Sequence, residues 1–144
     1  MLLYKEIVKD PFKKVYINEK EYSFNEILKE INIKFENLKK YKNMSAILDR
    51  SDKKSLIINF YACNKNNIKV YMTKNITVKK AKSLKLNFNL LIKDKNYLLS
   101  KKKNNLDKDI CLLLETTGTT DKSKYVFLTN KNISYISSQM NREM

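Results

Sequence analysis

The 144 residues predict an α/β fold of βαβ units with a mostly parallel sheet, carried on a single domain. Three observations lead there. Residues 44–48 are short and apolar and residues 68–72 read as a second strand, and between them Leu56, Ile57, Phe60 and Tyr61 recur at helical spacing. Strand, helix and strand in that order imply a crossover and parallel pairing. Finally, Ile110-Cys111-Leu112-Leu113-Leu114 is apolar without interruption, as expected of a strand covered on both faces.

Each element has its own local signal. Val15-Tyr16-Ile17 and Glu21-Tyr22-Ser23 flank Asn18-Glu19-Lys20, which predicts a hairpin. Ser23 followed by Glu26 has the spacing of a reciprocal helix cap, and Phe24, Ile27, Leu28, Ile31, Phe35 and Leu38 form one helical stripe behind it. Ser51 or Asp52 is placed to cap the second helix, and Asn66-Asn67 to end it, because Asn tolerates the left-handed conformation. A weak helix is expected over 77–85, and strands over 86–92 and 97–99. After a strand over 125–128, Thr129 or Asn130 opens a last helix through Ile133, Ile136 and Met140, and the chain's end inside that helix is read as truncation.

Composition narrows the function classes. The chain is 42% hydrophobic, enough to build a core, yet its net charge is +15. Such a charge invites a nucleic-acid reading. All the cations except Arg50 and Arg142 are Lys, however, and they are scattered through every segment. Bidentate base reading and phosphate clamping favour Arg, so a solvated surface is the expectation. The absence of His rules out His-dependent triads and His metal sites in these residues. Cys63 and Cys111 sit within apolar runs and are expected as free, buried thiols. With neither a signal-like N-terminus nor an apolar stretch near the ~18–20 residues that cross a bilayer, a cytoplasmic location is expected.

The single Gly, Gly118, stands within Thr116-Thr117-Gly118-Thr119-Thr120, directly after the apolar run that ends at Leu114. A Gly lets backbone approach an anion closely, flanking hydroxyls and N–H groups can donate to phosphate oxygens, and Lys124 can reach a phosphate as a mobile cation. The same residues could equally form a polar hairpin turn.

Residues 115–126, Glu-Thr-Thr-Gly-Thr-Thr-Asp-Lys-Ser-Lys-Tyr-Val, resemble the phosphate loop of the AMP-binding, acyl-CoA-synthetase-like superfamily, whose pattern runs Thr-Ser-Gly-Thr-Thr-Gly-x-Pro-Lys-Gly-Val. Leu128-Thr129-Asn130-Lys131-Asn132 is similar to the segment that follows it. Upstream, Glu21–Ile27, Ser45–Leu48, Phe60–Cys63 and Val70–Met72 resemble that family's first helix and first strand–helix–strand in the same order. The resemblance implies the partial N-terminal subdomain of an adenylate-forming enzyme, residues 1–144 being one partial AMP-binding domain that stops shortly after the loop. It implies ATP, Mg²⁺ and a carboxylic acid, an acyl-adenylate intermediate, and a second polypeptide as a candidate source of the missing part. Thr116, Thr117, Gly118, Thr119, Thr120 and Lys124 would line the phosphates; no catalytic residue and no metal ligand is singled out. Asp121, Ser123 and Tyr125 replace the family's second Gly, its Pro and its third Gly. An outward-facing Asp121 and an extended backbone at Tyr125 are the expectations. The alternative from another class is a non-catalytic basic module contacting nucleic acid or an acidic protein.

Overall fold

The computed structural model describes residues 13–102, 105–116 and 124–140. A six-stranded sheet forms its centre, in the order β6-β5-β3-β4-β7-β8. The strands are β3 (Ser45–Asp49), β4 (Lys69–Thr73), β5 (Leu90–Ile92), β6 (Asn96–Leu98), β7 (Ile110–Thr116) and β8 (Lys124–Thr129). The inner four run parallel, Ala46 facing Val70 and Leu90, and Val70 facing Leu112. The two outer strands are antiparallel returns, β6 on β5 and β8 on β7. The sheet is thus mixed: parallel at its centre, as the βαβ pattern requires, and closed at each side by a hairpin.

Every residue of β3 is buried, because helices cover both faces of the sheet there. Ala46, Leu48, Val70, Leu90, Ile92 and Leu112 point to one face, against α2 (Lys53–Lys65) and the end of α1 (Phe24–Leu38). Their sequence neighbours Ile47, Tyr71, Leu91 and Leu113 point to the other, against Ala81 of the short α3 (Val78–Lys82). This alternation is the period-two signature of strands. The two-stranded hairpin of β1 (Lys14–Ile17) and β2 (Lys20–Ser23) packs on the outside of α1 and α2 through Ile17, Ile27, Ile31 and Ile58.

The caps form where the sequence places them. Ser23 Oγ accepts from the Glu26 amide at 3.2 Å while the Glu26 carboxylate accepts from the Ser23 amide at 2.8 Å. Asp52, rather than Ser51, caps α2 by accepting from the Ser55 amide at 2.6 Å. Asn18, Asn43, Asn67 and Asn75 all take positive φ, as does Glu19. In a chain with one Gly, Asn closes turns that Gly commonly closes.

Two segments are shorter than the sequence predicts: α3 spans only Val78–Lys82, and strand pairing begins at Leu90 rather than at 86. Asn89 explains the second difference. It is 2% exposed, and its side-chain oxygen accepts from the Ser45 amide and hydroxyl at 3.0 and 3.1 Å. Its side-chain nitrogen donates to the carbonyls of Ser100 and Lys102 at 3.0 and 2.8 Å. That clip fixes the approach to β5 as a bend, so Leu86 and Phe88 pack on the core from irregular chain.

Candidate functional site at the β7–β8 hairpin

Parallel strands end on the same edge of a sheet, and in open α/β folds that carboxyl edge is where ligands bind. β7 is parallel to β4, so Thr116 leaves the sheet at this edge and β8 returns from it at Lys124. Thr116 and Lys124 face each other as the last pair of the antiparallel ladder. The Thr116 hydroxyl donates to the Lys124 carbonyl at 3.3 Å, tying the two stems together. Of the sequence-predicted site residues, the fold thus brings these two into direct apposition. Thr117, Gly118, Thr119 and Thr120 lie outside the described residues, as do Asp121 and Ser123.

An aromatic cluster supports the root of the hairpin. The Tyr71 ring stacks on Phe88 with centroids 5.4 Å apart and meets Tyr125 edge-on at 5.6 Å. The Tyr71 hydroxyl donates to Glu115 Oε2 at 2.7 Å. Burial, and then this bond to Glu115, push the Tyr71 phenol well above its ordinary pKa. Burial and the Glu115 charge raise Tyr125 as well. Tyr125 lies in extended strand opposite Glu115, as expected for a side chain at this position, and the space beside it is taken by Tyr71. Sequence reading missed Tyr71 and Glu115 as supports. Only the alternation of Tyr71 between Val70 and Met72 could have hinted that it faces the opposite layer from them.

Among the described residues no group of three or more His, Cys, Asp or Glu could hold a metal ion. Nor do the lysines gather on one surface. They lie on α1 and α2 over one face of the sheet, on α3 over the other, and in the turns at both ends. The nucleic-acid alternative gains no support from that distribution. No helix among the described residues is long and apolar enough to cross a membrane.

No protein-family model matches the sequence, and comparison with curated proteins yields no match. Solved structures do match in fold. O-succinylbenzoate coenzyme A synthetase from Bacillus subtilis in complex with AMP superposes with a TM-score of 0.70 at 16% identity, over 98% of this chain and 45% of that one. The same synthetase with its acyl-adenylate intermediate gives 0.67 at 18% identity, over 96% and 45%. A double mutant of it bound with a product analogue gives 0.64 at 18% identity, over 96% and 36%. The chain therefore has the fold of part of an adenylate-forming enzyme, and it spans less than half the length of these synthetases.

Proposed function

We propose that these residues form the N-terminal part of an ATP-dependent ligase that activates a carboxylic acid as its acyl-adenylate, with Thr116–Thr120 and Lys124 lining the ATP phosphates. The observation that carries this reading is a coincidence of place. The Thr-rich segment that resembles a phosphate loop leaves the carboxyl edge of a sheet whose fold is that of part of an adenylate-forming synthetase. Complexes of that synthetase with AMP and with an acyl-adenylate support ATP and a carboxylate as the substrates. In the reaction, a carboxylate oxygen attacks the α-phosphorus and pyrophosphate departs, so donors and cations positioned on the phosphates supply most of the rate. Lys124 would neutralise phosphate charge, and the Thr hydroxyls and loop amides would donate to phosphate oxygens.

The remainder of the fold would come from further polypeptide. Val126 and Phe127 on β8 and Tyr135, Ile136 and Met140 on α4 (Asn130–Met140) stay between 40% and 66% exposed. Ile133 alone of the predicted apolar stripe on α4 packs against the core. An apolar face of this kind is expected where a fold continues.

Acid-dependent exchange of pyrophosphate into ATP tests the reading. The 144-residue protein alone should show none, since misplaced or missing contacts cost orders of magnitude in rate. Exchange should appear when a polypeptide carrying the rest of an adenylating fold is supplied, and Lys124→Met should then lower it by about 10- to 100-fold. Robust exchange by the isolated protein would contradict the claim that these residues are only part of the ligase.

A further inference from the structure

Adjacent residues of a strand face opposite sides of the sheet, and the stem of the β7–β8 hairpin uses that alternation to separate its charges. Along β7, Leu112 and Leu114 pack in the layer of α1 and α2, whereas Leu113 packs in the layer of α3. Glu115 continues the second set and Thr116 the first. Glu115 pairs with Tyr125 and Thr116 with Lys124, and directly opposed residues of an antiparallel ladder share a face. Tyr125 accordingly packs in the α3 layer beside Tyr71. The carboxylate of Glu115 and the ammonium of Lys124 thus start from opposite faces at the mouth of the loop.

A carboxylate at that place works against phosphate binding. Glu115 is exposed and directly precedes Thr116, so a turn of its side chain towards the loop would set a like charge beside the ATP phosphates. The Tyr71 hydroxyl opposes that turn by donating to Glu115 Oε2 at 2.7 Å. Hydrogen bonds to an ionised acceptor are among the stronger kinds. The ring that carries this hydroxyl cannot follow the carboxylate outward, because Tyr71 is only 3% exposed. Phe88 stacks on it at 5.4 Å, and Tyr125 meets it edge-on at 5.6 Å. Its register partner on β7, Leu113, is fully buried.

We propose that Tyr71 is a positioning residue for nucleotide binding: its hydroxyl, fixed within the aromatic cluster, holds the Glu115 carboxylate on the α3 face and away from the phosphates. The proposal rests on the reading of the β7–β8 loop as a phosphate site. It adds that β4, which carries none of the phosphate-lining residues, sets ATP affinity through one phenol.

The test is a double-mutant cycle on the 144-residue protein, titrated with ATP and followed by the backbone amide signals of Thr116 and Lys124. Tyr71→Phe keeps the ring contacts and removes only the hydroxyl. It should weaken ATP binding about three- to tenfold, with a greater loss at low salt than at high salt. Glu115→Gln keeps an acceptor for Tyr71 and removes the charge, so it should change affinity by less than about twofold. The double variant should bind like Glu115→Gln, because no charge is left to hold back. A purely structural role for Tyr71 would leave the double variant as weak as Tyr71→Phe, and that result would overturn the proposal. Unchanged affinity in Tyr71→Phe, checked for native circular dichroism, would do the same. Should Tyr71→Phe fail to fold, Glu115→Gln decides alone: tightening of about threefold or more would show that the carboxylate is not held away from the phosphates. A wild-type protein that ignores ATP would contradict the phosphate reading itself, whereas ATP binding indifferent to Tyr71→Phe would contradict only the role of Tyr71.

Discussion

Two buried residues show how much of this fold depends on single side chains. Asn89 satisfies polar groups from two separate segments, at Ser45 and at Ser100 and Lys102. Asn89→Leu should lower stability by about 2–3 kcal/mol in urea denaturation, because the buried hydrogen bonds to Ser45, Ser100 and Lys102 would be lost together. A change near zero would show that the clip is dispensable. Cys63 is fully buried, and desolvation pushes its thiol up to about 12. A raised folded pKa means that its contribution to stability is whole below the ordinary thiol value of about 8.5 and is lost as pH climbs from there towards 12. Alkylation by iodoacetamide at pH 8 should therefore follow global unfolding, and rapid labelling of the native protein at Cys63 would contradict its placement. The burial of the cysteines was legible from their apolar neighbours. The role of Asn89 was not, because the partners of its side chain lie 11 to 44 residues away and no local pattern announces them.

At the scale of elements, the sequence is most informative where caps and periodicity agree. Ser23 with Glu26 marks the start of α1, and Asp52 with Asn67 brackets α2, because capping and left-handed turns use particular residue types. Short elements such as α3 and β5 were less legible, since few residues carry their pattern and tertiary contacts set their ends. The β8–α4 face is the element-scale prediction. Phe127, Tyr135 and Ile136 border an open groove of about 650 Å³. The double substitution Phe127→Lys and Ile136→Lys should reduce self-association of the isolated protein in analytical ultracentrifugation while shifting Tm by only a few degrees. A large loss of Tm would mean that the face is packed within this chain rather than left for further polypeptide.

For the molecule as a whole, the parallel centre and its antiparallel flanks place two features on one edge: the hairpin stems at Thr116 and Lys124, and the Tyr71–Glu115 hydrogen bond beside them. The first was visible in the sequence as a Gly among threonines after an apolar strand. The second was not, because Tyr71 and Glu115 stand 44 residues apart and meet only when β4 pairs with β7. The single Gly of the chain provides the most direct test of the nucleotide claim. A sample labelled with ¹⁵N at glycine alone should give one amide signal, that of Gly118. ATP should move that signal saturably, sulfate at equal ionic strength should not, and Lys124→Met should weaken the response. A Gly118 signal that ignores ATP, or that answers sulfate in the same way, would contradict the assignment of this loop to ATP phosphates.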